Sequence, residues 1–199
     1  MSTPNIAIID SGGANIASLQ FALARLGITG QLTVDPDVIS AASHVILPGV
    51  GAAADSMARL NTASLIELIP DLSQPVLGIC LGMQLLFTAS EEDDSTCLGV
   101  FPGKARLFNA TAERAVPHMG WNQIQCTRNS DLLTGIPDGS HFYFVHSYAV
   151  DVTDDTLAIA EYGDPFTAIA ERANFSATQF HPERSGEFGA QLLKNFLAR

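Results

Sequence analysis

A cysteine with glycines two residues to either side, in Gly78-Ile79-Cys80-Leu81-Gly82-Met83-Gln84, carries the clearest chemical signal in this 199-residue chain. The residues before it read as a buried strand, and those after it as an apolar helix. A side chain on so sharp a strand-to-helix turn stands above the sheet edge, where bulky neighbours at ±2 would clash. A helix N-terminus favours thiolate over thiol, because its unpaired N–H groups carry partial positive charge. The Leu81 N–H, first after the turn, faces the same spot and can stabilise an oxyanion. An inert core cysteine on a glycine-rich turn is the ordinary alternative. The chemical reading needs a base from elsewhere.

Phe180-His181-Pro182-Glu183 offers one. Pro182 steers His181 away from helical backbone and fixes the turn, and Glu183 can reach back to hold the imidazole and stabilise its cation. A plain surface turn is the competing reading. Of the other histidines, His44, His118, His141 and His146, none has a carboxylate so placed after a strand. A third segment, Leu47-Pro48-Gly49-Val50-Gly51-Ala52, leaves a strand into a glycine loop. Loops at the carboxyl ends of parallel strands line the active crevice of such sheets. With Gly49 and Gly51 on either side, the Val50 peptide is easily reoriented, and its N–H can be a second oxyanion donor. A phosphate loop is the runner-up there, without the required G-x-x-x-x-G-K-[ST]. The Asp10–Asn15 stretch is also glycine-rich but lacks full G-x-G-x-x-G spacing. No cofactor and no metal are expected.

The elements that must position these groups follow from hydrophobic pattern. Strands are predicted at residues 5–10, 31–34, 44–47 and 75–79. Helices are predicted from a cap at Asn15 to Gly27, with Ile16, Leu19, Leu23 and Leu26 on one face, over 55–68 with a break near Asn61-Thr62, and over 81–87. Strands alternating with helices imply parallel pairing with both sheet faces covered. The second half is strand-rich, at 103–108, 122–126, 141–150, 157–162, 167–172 and 177–180, and suggests an antiparallel portion added to the same sheet. A closing helix runs from Phe188 through Leu192, Leu193, Phe196 and Leu197. The fold class expected is α/β, a three-layer sandwich on a mixed, mainly parallel sheet. With no linker or repeat, residues 1–199 read as a single domain.

Composition excludes several partners. The chain is 47% hydrophobic and 16% charged, with a formal net charge of −11. Such a surface repels phosphate backbones and anionic lipid, so neither nucleic acid nor membrane is expected. The opening residues lack the basic region of a secretory leader, and the longest apolar run falls short of the ~20 residues of a spanning helix. Three cysteines (Cys80, Cys97 and Cys126) without C-x-x-C spacing fit a reducing cytosol, so a cytoplasmic location is expected.

Through GICLGMQ (78–84) and FHPE (180–183), the chain resembles the class I, or triad, glutamine amidotransferases. Within them, IAIIDSGGAN (6–15), LPGVGA (47–52), PHMGWN (117–122), FVHSY (144–148) and HPERSG (181–186) are similar to the glutaminase subunits of imidazole glycerol phosphate synthases. The resemblance implies a Cys80–His181–Glu183 triad hydrolysing L-glutamine, with ammonia passed to a (β/α)8-barrel cyclase subunit in a heterodimer. It implies that Gln84, Glu92 and the His146-Ser147-Tyr148 backbone bind substrate beside Gly49 and Gly51, with Glu92 taking the α-ammonium group. Asn15, Pro117, Met119, Trp121 and Arg184 would face the cyclase; Trp121 reads either as an interface anchor or as a core aromatic. The chain departs from the family pattern at Ser11, Ala14, Ala53 and Arg184, positions that bear on docking and regulation rather than on the triad. The rival readings are another class I amidotransferase or free-standing glutamyl hydrolase, and a catalytically silent docking module.

Overall fold

The computed structural model describes residues 4–12, 16–112 and 114–199. The first half alternates strand and helix: β1 (Ile6–Ile9), α1 (Ile16–Arg25), β2 (Gly30–Thr33), α2 (Pro36–Ala41), β3 (His44–Gly49), α3 (Ala53–Thr62), β4 (Val76–Cys80) and α4 (Leu81–Leu86). The second half runs through β5 (Ala89–Ser90), β6 (Ser95–Thr96), β7 (Lys104–Leu107), β8 (His118–Gln123) and β9 (Gln125–Cys126). It continues with β10 (His141–His146), β11 (Tyr148–Val150), β12 (Thr156–Tyr162), β13 (Asp164–Arg172), β14 (Phe175–Thr178) and α5 (Gly186–Leu197). The main sheet has the order β2-β1-β3-β4-β14-β13-β12-β9. Its first five strands pair in parallel and the last three antiparallel.

β1 shows why the sheet is sandwiched. All four of its residues are buried: Ile6 and Ile8 point into one apolar cluster with Leu19, Leu23, Leu192, Leu193 and Phe196 of α1 and α5. Ala7 and Ile9 point into the other, with Ile39, Leu60 and Met83 of α2, α3 and α4. Strand side chains alternate faces, so a strand buried on both sides must be apolar throughout. The fold is the three-layer α/β sandwich expected.

Several boundaries differ from the sequence pattern for local reasons. The predicted cap Asn15 lies outside the described residues, but the other end of α1 closes as anticipated. Gly27 sits at φ 77°, its N–H donates to Ala24 O, and the Ile28 N–H donates to Leu23 O, the paired bonds of a Schellman motif. α3 ends at Thr62, at the break expected near Asn61-Thr62, and does not resume as far as Leu68; Ser64 takes the left-handed position (φ 59°) in an equivalent closure with Leu65 N–H on Leu60 O. The pattern missed α2, whose Asp35 carboxylate caps Asp37 N–H with Pro36 in the first turn. Residues 141–150 form two strands rather than one, and 122–126 is likewise divided between β8 and β9. β8 pairs only with β10, and β7 with β11 and β5, so much of the second half builds two small sheets instead of extending the main one.

The tightest packing lies where β3 and β4 meet α4. A Cβ on Gly82 would run into the Leu47 carbonyl oxygen; one on Gly49 would meet Gly82 N at 2.7 Å, and one on Gly78 Leu86 Cδ1 at 2.7 Å. Gly82→Ala is therefore expected to cost at least ~3 kcal/mol, the upper part of the range for overpacking. Gly139, with open space around it and φ 79°, should lose only the ~1–2 kcal/mol of left-handed backbone when changed to Ala. Urea unfolding of the two variants checks this; equal losses would mean that close approach is not what limits the turn.

Candidate active site

The site forms at the carboxyl edge of three adjacent strands, β3, β4 and β14. Gly49 lies opposite Cys80 in the register of β3 and β4, and Thr178 of β14 opposite Ile79. Cys80 itself closes β4 and opens α4 at φ 54°, ψ −111°, a conformation that costs a non-glycine residue about 1–3 kcal/mol. α4 is only six residues long, so the favourable field on the sulfur comes from the N–H groups of its first turn rather than from a long dipole. Cys80 as a whole is 7% exposed.

His181 follows β14 in extended backbone at φ −97°, ψ 97° before Pro182. Its N–H donates to Tyr143 O, and its carbonyl accepts from Ser185 Oγ at 2.6 Å. His181 Nδ1 donates to Glu183 Oε1 at 2.8 Å, with both side chains nearly dry. That leaves Nε2 for Cys80, to which the imidazole is also hydrogen-bonded. Burial alone would pull the imidazole down, but the hydrogen bonds to Cys80 and Glu183 and their charges push it up to about 10. Anions beside the ring stabilise an imidazolium, and the structure brings Cys80, His181 and Glu183 together at this edge.

This line opens on a cleft of about 330 Å3 lined by Val50, Gly51, Cys80, Leu81, Gln84 and Glu92, and opposite them by Pro117, Val145, His146, Ser147 and Tyr148. That volume lies at the low end of the ~300–1,000 Å3 of small-molecule sites. All the residues named from sequence for the nucleophile, oxyanion and substrate roles line this cleft or abut it, with Gly49 and Glu183 one step behind. Gln84 is buried, and its Nε2 donates to Tyr148 O at 2.9 Å and Gln179 Oε1 at 3.1 Å. Glu92 Oε2 accepts from Ala53 N–H at 2.7 Å, at the start of α3. The Tyr148 phenol is held above its ordinary range by partial burial and then by the charges of Glu92, Asp93 and Glu91. A mouth with that field attracts an ammonium group.

One wall of the cleft is a neutral histidine pair, and its tautomers follow from its partners. His146 Nδ1 lies 2.8 Å from Tyr148 O, a carbonyl that can only accept. His146 Nε2 must then accept from His118 Nδ1, at 3.0 Å, and His118 Nε2 from Asn122 Nδ2, at 3.4 Å. Burial lowers His118 to about 4 and His146 to about 3. Phe144 and Tyr162 stack on the His118 ring.

The faces of β8 alternate, and Met119 and Trp121 point outward, 63% and 57% exposed. Trp121 is thus not a core aromatic. It meets Tyr143 edge to face across the β8–β10 pair, and the Arg184 guanidinium sits 4.6 Å over the Tyr143 ring. Tyr143 went unnoticed in the sequence; its outward position in the alternation of His141–His146 was the available signal. Of the positions departing from the family pattern, Ser11 is buried and its hydroxyl donates to Pro48 O at 2.7 Å. Ala53 is fully buried at the start of α3, and Ala14, like Asn15, lies outside the described residues.

The chain is similar to known proteins over nearly its whole length. The glutamine amidotransferase class-I family matches residues 7–199. The imidazole glycerol phosphate synthase subunit HisH of Xylella fastidiosa is 50% identical over 192 residues, 96% of each chain. HisH 2 of Legionella pneumophila is 50% identical over 193 residues, 97% of each. The crystal structure of a putative GMP synthase subunit from Thermoplasma acidophilum shares the fold at TM-score 0.77 and 19% identity, covering 100% of this chain and 94% of its own. The glutaminase domain of Trypanosoma brucei CTPS, solved with bound acivicin, shares it at TM-score 0.69 and 15% identity, covering 99% and 95%. This chain belongs to the class-I glutamine amidotransferases, in the family of HisH subunits.

The histidine pair predicts an acid limb in stability. The folded chain holds His118 and His146 neutral well below the ordinary 6.5, so the unfolded chain binds protons first. Their contribution is full above pH 6.5 and lost as pH falls toward 4 and 3; His44, also lowered by burial, adds in the same direction. Urea midpoints should fall between pH 7 and 5, although His181, raised to about 10, offsets a smaller part of the loss over that range, and His118→Gln should reduce that slope by about one proton. A flat profile in the unsubstituted protein would contradict the assignment.

Proposed function

We propose that this chain is the glutaminase subunit of an imidazole glycerol phosphate synthase, acting in histidine biosynthesis. The observation that carries the reading is the hydrogen-bonded Cys80–His181–Glu183 line at the head of the cleft, in a chain half-identical to HisH subunits over nearly its full length. In the cycle, the Cys80 thiolate attacks the δ-carbon of L-glutamine, forming a C–S bond. The carbonyl oxygen becomes an oxyanion held by the N–H groups of Leu81 and Val50. The intermediate collapses with cleavage of the C–N bond, and His181 gives its proton to the leaving nitrogen, which departs as ammonia. A water molecule then adds to the thioester, His181 takes its proton, and glutamate leaves as the sulfur is released. Glu183 holds the imidazole and stabilises its charge throughout. Gln84, Gly49, Gly51 and the His146–Tyr148 backbone fix the substrate, and Glu92 receives its α-ammonium.

The product is destined for a (β/α)8-barrel cyclase subunit. There ammonia helps convert a phosphoribulosyl-formimino carboxamide ribotide into imidazole glycerol phosphate and an aminoimidazole carboxamide ribotide. The docking surface is the outward face of β8 and β10, with Pro117, Met119, Trp121, Tyr143 and Arg184, together with Asn15. Exposed aromatic and arginine side chains of this kind anchor interfaces. The Val50 peptide gives the partner a means of control, since a missing oxyanion donor lowers rate by about 10²–10³.

Cys80→Ser is expected to abolish glutamine-dependent turnover while the complex keeps its ammonia-dependent synthesis. Retained glutaminase in that variant would end the assignment of the nucleophile. Trp121→Ala should weaken association with a purified cyclase subunit by at least ~30-fold, the equivalent of a ~2 kcal/mol anchor, without a change in melting temperature. Unchanged affinity by calorimetric titration would move the docking surface elsewhere.

A further inference from the structure

Gln179, the residue after β14, is fully buried. A primary amide has no place in a dry core unless each end finds a partner, since an unmet polar group there loses its water without replacement. Both ends of this one find the site. Gln179 Oε1 accepts from Gln84 Nε2 at 3.1 Å, and Gln179 Nε2 donates to Cys80 Sγ at 3.9 Å.

The orientation of both amides is fixed by one carbonyl. Tyr148 O can only accept, so the Gln84 atom facing it at 2.9 Å must be the NH2 group. The Gln179 atom that the same NH2 group meets must therefore be its oxygen, and the Gln179 NH2 is left turned to the sulfur. The thiol's other contact, Val145 O at 3.8 Å, can only accept and so offers nothing to a thiolate. Among the described residues, Gln179 thus joins His181 as a neighbour whose side chain can donate to a thiolate at Cys80.

We propose that Gln179 is a positioning residue for the nucleophile, its amide N–H holding the Cys80 thiolate in line with His181 and the cleft. A donor to a charged acceptor is stronger than one between neutral groups. The Tyr148–Gln84–Gln179 chain locks that donor in place, because rotating the Gln179 amide would set oxygen against thiolate and NH2 against NH2. The inference rests on Cys80 being the nucleophile of the glutaminase reaction proposed above.

Two apolar variants of similar size remove the donor: Gln179→Met and Gln179→Leu. The readouts are the rate and pH profile of iodoacetamide alkylation, mapped to the labelled peptide, and kcat and KM for glutamine in the complex with its cyclase subunit. In the unsubstituted protein the label should fall on Cys80. In Gln179→Met, Cys80 alkylation at pH 7 should slow by about tenfold, its profile should move toward alkaline pH, and kcat should fall about tenfold with KM within twofold. Gln179→Leu should slow to a similar degree. A folded Gln179→Met that alkylates and turns over at the unsubstituted rate would overturn the proposal. Should Gln179→Met not fold, Gln179→Leu decides alone, its unchanged alkylation overturning the proposal and its slowed alkylation supporting it. A label that misses Cys80 in the unsubstituted protein would instead overturn the nucleophile assignment itself, and this inference with it.

Discussion

The left-handed turn at Cys80 exists because two backbones are allowed to touch. Gly82 lies directly against the Leu47 carbonyl, and Gly49 and Gly78 lie against the first turn of α4. Without that approach, α4 would stand off from β3, and the chain could not pass from strand to helix within one residue. A turn at φ 54° is unfavourable in isolation. It persists because all six residues of α4 are buried beneath it, so relaxing the turn would expose that apolar surface. The sulfur, the Leu81 N–H and the glycine loop of β3 then share one end of the sheet. β14, in register with β4, delivers His181 and Glu183 to the same edge.

The two strands that form the far wall serve two surfaces at once. Along β8 and β10, alternate side chains point inward as His118, Phe144 and His146, and outward as Met119, Trp121 and Tyr143. The inward set ends at the Tyr148 carbonyl, which accepts from both His146 Nδ1 and Gln84 Nε2. The outward set forms an exposed aromatic and cationic rim. The register that places the outer rim therefore also places the inner wall. A one-residue slip between β8 and β10 would invert both.

Much of this was legible in the chain, and the rest was hidden for definable reasons. Unbroken apolar runs gave the parallel strands, because a strand covered on both faces has no polar alternation to confuse it. Gly27 gave the end of α1, whereas Ser64, doing the same task at the end of α3, carried no such flag. α2 is too short to show a period, although Asp35-Pro36 held its start signal. The division of residues 141–150 between two sheets depends on distant partners in β7 and β8, and nothing local announces it. In the site, spacing marked Cys80, His181 and Glu183 as candidates, each with an ordinary structural reading beside it, and the family resemblance joined them. Spacing did not mark Gln179, because a glutamine ending a strand has meaning only once the fold sets it beside a sulfur.

The glycine loop after β3 is fastened at both ends. Ser11 holds the Pro48 carbonyl before it, and Glu92 holds the Ala53 N–H after it. Between those moorings lie only residues 49–52. A hinge cannot swing when its two leaves are pinned, so a reversal of the Gly49–Val50 peptide has to be a crankshaft turn. In it, ψ of Gly49 and φ of Val50 rotate by opposite amounts, while the path of the chain on either side stays as it was. Such a motion carries one dipole from one sense to the other with little displacement of mass, and the strands that fix Cys80 need not follow it.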